Sequence, residues 1–248
     1  MYLPLLSLED VSLVYPIYSI RAQSIRHSVL NLAVGGRLLR SQQDVIHVQA
    51  LDGVSFTLNR GDRLGLLGHN GSGKTTLLKV IAGVYEPTRG TVSVQGNVSS
   101  MLDINLGVDW EASGEENITA MARIRGISAK ECKAKVPDII EFSELGSYIS
   151  LPMKTYSAGM AARLIFAVVT SFAPNILVLD EWLAAGDSQF LEKAAQRMDK
   201  LVGEAQCVVF ATHSIDMVRR ICNKVCIMEN GRVSYFGLTS DCFPDAKS

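Results

Sequence analysis

A chain of 248 residues with 48% apolar side chains is long enough for one α/β domain, alone or with a smaller subdomain, and can bury a sizeable core. Its 24 Lys+Arg against 25 Asp+Glu leave a net charge of -1, which gives no pull toward nucleic acid. Five scattered cysteines form no disulfide framework and fit reduced thiols, and neither a signal peptide nor an unbroken apolar membrane span is expected.

Residues 5–14 read as a first strand, and residues 45–58 hold one or two more. Between them, residues 16–44 form an insertion. It carries Arg21, Arg26, Arg37 and Arg40 within an acid-free segment, and Ile20, Ile25, Val29 and Leu32 would make an apolar stripe if that segment were helical. Such a segment is either a solvated surface insertion or a basic face turned to an anionic membrane and the proteins in it.

Residues 64–67 are an apolar strand that runs into Gly68-His69-Asn70-Gly71-Ser72-Gly73-Lys74-Thr75, the G-x-x-x-x-G-K-[ST] pattern, and a helix-compatible stretch follows at 75–82. Gly68, Gly71 and Gly73 let the backbone turn tightly, so that successive N–H groups converge on phosphate oxygens at a helix N-terminus. Lys74 can reach β- and γ-phosphates and the Thr75 hydroxyl can ligate Mg2+. The phosphate-binding run is taken as Gly68, Asn70, Gly71, Ser72, Gly73, Lys74, Thr75 and Thr76.

A turn at residues 87–90 precedes a short strand at 91–95. Residues 108–173 are mostly helical in pattern, with breaks expected at Gly126, Pro137, Gly146 and Pro152. Within that block Tyr156-Ser157-Ala158-Gly159-Met160 leads into an amphipathic helix over 161–171. Ser157 is there either an N-cap or, with Gly159, an anion site. Strand 176–180, helix 188–202, strand 206–212 and helix 214–221 then alternate in the rhythm of a parallel sheet, and 224–228 with 232–236 form a hairpin. One α/β core is thus split by a helical block.

The apolar run 176–179 suits a strand buried on both faces, delivering Asp180 and Glu181 at its C-terminal end, where ligands of such sheets bind. Beside a P-loop, Asp180 can hold Mg2+ and Glu181 can deprotonate a water. His213 follows the next strand. A lone histidine is usually a packed or surface residue, yet this one falls at the same sheet edge and can contact a γ-phosphate.

In this order, residues 51–236 resemble the ATPase subunit of an ABC transporter. The resemblance implies an α/β fold, a P-loop NTPase with a RecA-like parallel core sheet, an antiparallel β subdomain and an inserted helical subdomain, the whole of 1–248 being one nucleotide-binding domain. The YSAGM run stands where the family has its LSGGQ-type signature, and residues 184–187 stand at its D-loop. By the same resemblance two copies pair head-to-tail as a homodimer, sandwiching ATP and Mg2+ between the P-loop of one and Ser157 and Gly159 of the other. Lys74 and Glu181 would be catalytic, His213 would sense the γ-phosphate, Asp187 would face the partner, and Tyr15 (better placed than Tyr18) would stack on adenine unless it is a core filler.

Three departures narrow the family. The signature carries Tyr156, Ala158 and Met160. The Q-loop glutamine is missing from residues 101–118, where Asp103 or Ile104 stands at its place and Asp103 is the candidate metal ligand, and DEWLAAGD occupies 180–187. All three resemble the branch that exports O-antigen, teichoic acid and related lipid-linked glycans. That implies a peripheral protein on the cytoplasmic face of a bacterial plasma membrane, working with a separate transmembrane permease. The alternative is the ATPase of another exporter, for a drug or small lipid. Few residues follow Phe236, so no carbohydrate-binding domain is expected, and the permease or an upstream enzyme would select the glycan. A GTPase is excluded by the lack of an NKxD motif, and ABC proteins of translation or DNA maintenance by the single cassette without a coiled coil.

Overall fold

The computed structural model describes residues 3–17, 37–40, 46–180 and 188–244. It divides into two compact units, the first comprising Met1–Val98, Asn175–Trp182 and Gln206–Ser248, the second Ser99–Pro174 and Leu183–Ala205.

The first unit opens with an antiparallel sheet. Strands β1 (Leu6–Ile17), β2 (Arg37–Arg40), β3 (Ile46–Leu58) and β5 (Arg89–Val94) lie in the order β2-β3-β1-β5. Leu6, Leu8, Leu51, Val54 and Leu58 are fully buried, which fixes the register through the period-two alternation of strand side chains. Strand β1 continues past the expected end at residue 14, through Pro16 to Ile17. Pairing with β5 ends at Ser12, opposite Arg89, so β1 is an edge strand beyond it and tolerates a proline. Residues 46–58 form one strand. Within the insertion, residues 37–40 add a strand against β3, while Tyr18, Arg21, Arg26 and the stripe Ile20, Ile25, Val29 and Leu32 lie outside the described residues.

The second sheet has the order β10-β9-β4-β8-β7-β6, with β4 (Arg63–Leu67), β6 (Val98–Ser100), β7 (Ile176–Asp180), β8 (Cys207–Ala211), β9 (Lys224–Glu229) and β10 (Arg232–Leu238). Strands β9, β4, β8 and β7 run parallel. Every residue of β8 and the first four of β7 are buried, as strands covered on both faces must be. Helix α1 (Lys74–Ile81) follows β4. Helix α6 (Ile215–Ile221) packs so closely that a Cβ on Gly65 would overlap Val218. The hairpin β9–β10 turns on Asn230 (φ 49) and Gly231 (φ 80), a two-residue turn of the kind that matches strand twist. Burial pushes the thiols of Cys207, Cys222 and Cys226 up to about 12, so they act as protonated core fillers.

The second unit is helical: α2 (Gly114–Ile124), α3 (Ala129–Ser143), α4 (Ala158–Val169) and α5 (Ser188–Glu204), with 3-10 turns at Gly146–Ser150 and Met153–Thr155. Ser113 and Glu116 close a capping box at the start of α2. Pro137, expected to break the chain, sits inside α3. It is exposed, so the carbonyl left without its donor faces water. Phe142, Phe166 and Phe190 join α3, α4 and α5 in an aromatic cluster, with the Arg197 guanidinium 4.3 Å from the Phe142 ring.

Where the chain leaves the first unit and where it returns, Asn97 and Asn175 exchange hydrogen bonds. The N–H of each donates to the side-chain oxygen of the other, at 2.8 and 2.9 Å.

Candidate nucleotide site

The glycine turn at residues 68–73 leaves β4 at the C-terminal edge of the parallel strands and closes on α1. Gly68 has φ 152, and a Cβ there would overlap the Met228 carbonyl and the Ser72 hydroxyl. Gly73 has φ 104, and a Cβ there would press on the Ala50 carbonyl. Both positions therefore demand glycine, on backbone conformation and on space. The turn is held from the side as well: the Gly231 N–H donates to the Ser72 carbonyl at 2.9 Å, and the Asp52 N–H donates to the Gly231 carbonyl at 2.9 Å.

Gly73 is the N-cap of α1 and offers no side-chain acceptor to the N–H groups of the first turn. The helix dipole adds positive potential at the same place. Lys74, with only 8% of its surface exposed, curls back and donates to the carbonyls of Gly68 (2.7 Å) and His69 (3.1 Å), which puts its ammonium at the rim of the turn. The buried Ser72 Oγ has no hydrogen-bond partner. A cradle that a Cβ would fill, uncapped amides, an orphaned hydroxyl and a lysine together fit a phosphate chain.

Strand order makes the rest of this half. Asp180 ends β7 opposite Ala211 of β8, and Leu66 of β4 pairs with Ala211 from the other side. The Thr75 Oγ1 donates to Asp180 Oδ2 at 2.8 Å, so two oxygen donors from separate elements meet beside the glycine turn, a donor set that fits Mg2+. Beyond β8, the Thr212 N–H donates to the Leu66 carbonyl at 3.2 Å, and the exposed His213 follows at the same sheet edge. Tyr15, on β1, lies against α1: its phenol meets the hydroxyl of Thr76, and its ring contacts Tyr85. Burial raises the Tyr15 pKa, against the opposing pull of Thr76. Glu181 and Asp187 lie outside the described residues.

Ser157, Gly159 and Asp103 belong to the second unit. Ser157 is the N-cap of α4, accepting from the Met160 N–H at 3.2 Å, and Ala158, Gly159 and Met160 form the first helical turn rather than a loop ahead of it. Ser157, Ala158 and Gly159 are all exposed, and a Cβ on Gly159 would meet only the Ser157 hydroxyl, at 3.9 Å. Asp103 accepts from the Asn105 N–H at 3.2 Å, and its charge acts on Arg125. The Arg125 guanidinium, its pKa lowered by burial, donates to the carbonyls of Leu106 (2.9 Å), Met121 (3.1 Å) and Ile104 (3.3 Å), clamping the loop that carries Asp103.

Asn117 went unassigned from sequence. Fully buried, it donates to the carbonyls of Asp109 and Ser113 at 2.8 and 2.9 Å and accepts from the Asp109 N–H at 2.8 Å, so it shapes the same loop. The Ser-x-x-Glu spacing of Ser113 and Glu116 was the signal that would have placed it one step into a helix.

Residues 51–184 match the family model described as ABC transporter. Over 225 residues the chain is 42% identical to the O-antigen export system ATP-binding protein RfbE of Yersinia enterocolitica, covering 91% of this chain and 94% of that protein. It is 36% identical to the O-antigen export system ATP-binding protein RfbB of Klebsiella pneumoniae, covering 94% of each. To the teichoic acids export ATP-binding protein TagH of Bacillus cereus it is 37% identical, over 82% of this chain and 37% of that protein. Among solved structures, an ATP binding subunit of an ABC transporter superposes with a TM-score of 0.67 at 23% identity, covering 96% of this chain and 91% of that one. A dimeric ATP-binding cassette bound to ADP and Pi after hydrolysis gives 0.65 at 19% identity, covering 94% and 98%. Both structural likenesses are likenesses of fold.

Proposed function

The chain belongs to the ABC transporter family, and on that premise we propose that it is the ATP-hydrolysing subunit of an exporter of lipid-linked polysaccharide. The observation that carries the ATPase half of this reading is the Thr75–Asp180 hydrogen bond, which brings the helix after the glycine turn and the acid at the end of β7 to one point. The names of the relatives, O-antigen and teichoic-acid export proteins, support the cargo.

In this reading the uncapped amides of α1 and the Lys74 ammonium bind and orient the β- and γ-phosphates. Thr75 and Asp180 hold Mg2+. The ion, when bound, neutralises charge that develops on the transferred phosphoryl group. Glu181 takes a proton from the attacking water, His213 contacts the γ-phosphate, Tyr15 lies against the base, and Asp187 faces the second copy. That copy supplies Ser157 and Gly159 from its exposed helix tip, so the working form is a homodimer.

No described helix is long and apolar enough to cross a membrane, so transport needs a separate permease. In the second unit Trp110 (49% exposed), Tyr148 (53%) and Leu151 (45%) give an apolar surface suited to such a partner at the cytoplasmic face of the plasma membrane.

Purified chain reconstituted with its permease in vesicles should hydrolyse ATP faster when the lipid-linked glycan is present. Hydrolysis indifferent to the glycan, with export persisting in cells that lack the chain, defeats the reading. Glu181→Gln should keep ATP bound, accumulate dimer in light scattering, and lower turnover by about 10²–10⁴-fold. A variant that stays monomeric in saturating ATP would contradict the two-copy site.

A further inference from the structure

Tyr15 reaches the end of β1 and meets a second tyrosine there. The rings of Tyr15 and Tyr85 lie 5.5 Å apart at 74°, the edge-to-face arrangement that aromatic pairs favour. Tyr85 is fixed from the other side by α1. Its N–H and that of Val84 donate to the Lys79 carbonyl, at 3.3 and 2.9 Å, and the Lys79 ammonium stands 5.3 Å from the Tyr85 ring centre. Both rings are half-buried. Helix α1 therefore carries the phosphate-binding Lys74 and Thr75 at its first turn, and holds Tyr85 just past its last.

We propose that Tyr85 is a positioning residue for the nucleobase: pinned to the end of α1, it sets the place and tilt of the Tyr15 ring relative to the phosphate cradle. The proposal rests on the assignment of Tyr15 to the base. One rigid helix then spans both determinants, so the distance from phosphate to base is fixed by α1 rather than by the flexibility of β1. The ligand class this selects is a nucleoside triphosphate with a planar base, over a bare polyphosphate. Tyr85 meets Tyr15 through its ring and also through a hydrogen bond between the two phenols, and it meets Lys79 through its ring.

The test uses the full chain with Mg2+ and measures dissociation constants for ATP and for inorganic tripolyphosphate, which lacks the base. Tyr85→Leu, which keeps apolar volume, and Tyr85→Ala should weaken ATP by about two- to tenfold and leave tripolyphosphate unchanged. Tyr85→Phe, which keeps the ring contact and loses the hydrogen bond between the phenols, should weaken ATP by less than Tyr85→Leu does. Tyr15→Ala should weaken ATP at least as much, and the double variant Tyr15→Ala/Tyr85→Leu no further than Tyr15→Ala alone. Equal weakening of both ligands by Tyr85→Leu would make Tyr85 a structural residue only, and additive losses would show that it acts without Tyr15. If Tyr15→Ala leaves the ATP-to-tripolyphosphate ratio untouched, the base assignment itself falls. If Tyr15→Ala lowers that ratio and Tyr85→Leu does not, the positioning role alone is overturned.

Discussion

Two glycine-bearing helix starts of this molecule, at Gly73 and at Ser157–Gly159, are built on opposite plans. The turn at residues 68–73 is walled by the Ala50 and Met228 carbonyls, tied to Gly231 and roofed by Lys74. At the Ser157–Gly159 tip the three residues are exposed, and among the described residues a Cβ on Gly159 would meet only the Ser157 hydroxyl. An enclosed cradle can bind by itself. A bare tip has surface to offer and no pocket, so it does its work only when something is laid against it. On the proposed reading, the difference teaches that a single chain would carry one finished half of a nucleotide site and one half that a second copy must complete.

Variants can break or sharpen that contrast. The largest effect is expected at Lys74→Ala, which should lower ATP affinity at least ~tenfold by removing a charge-assisted phosphate contact, as equilibrium binding to the isolated chain would register. Next comes a matched pair. Gly73→Ala should destabilise the fold by about 2–4 kcal/mol, because φ 104 and the Ala50 carbonyl both oppose a Cβ. Gly159→Ala should leave stability equal or up to about 1 kcal/mol higher, since alanine favours a helix and the space is open. It should still slow ATP turnover while leaving binding to the single chain intact. Urea unfolding with parallel ATPase assays decides, and equal stability losses at the two glycines would erase the contrast. Ser157→Ala should cost about 1 kcal/mol for the lost cap and should also reduce turnover; a purely thermal effect would leave Ser157 a cap alone. Smallest in the isolated chain is Trp110→Ala, expected to change neither stability nor basal ATPase by more than about 0.5 kcal/mol in free-energy terms, yet to weaken export in cells.

What could be read from the sequence was what short segments decide alone. Residues 63–81 announce a strand, a glycine turn and a helix because each signal lies within a few residues of the next, and β7 ends on Asp180 as its apolar run requires. The hairpin was visible in Asn230 and Gly231, whose positive φ values the turn needs. Misses came where distant chain overrides a local sign. Pro137 looks like a break until α3 is seen to turn it to solvent, and Pro16 looks like the end of a strand until β3 is seen to pair on past it. The Tyr15–Tyr85 contact and the Arg125 clamp join residues far apart in sequence, and no local pattern encodes them. The Ser157 cap expected as one reading is present, and it starts α4 at Ala158, three residues ahead of the expected 161, because the cap draws the small-residue run with its central glycine into the helix.

One hydrogen bond carries a consequence for how the protein comes into being. The phosphate turn is made well before the Gly231 amide that grips Ser72 and the Met228 carbonyl that walls Gly68 emerge from the ribosome. A nascent chain halted before that hairpin holds every residue of the nucleotide motif without the buttress that gives it shape. The shape of the turn thus waits on a segment made after it, and is completed only when that hairpin has folded back onto it.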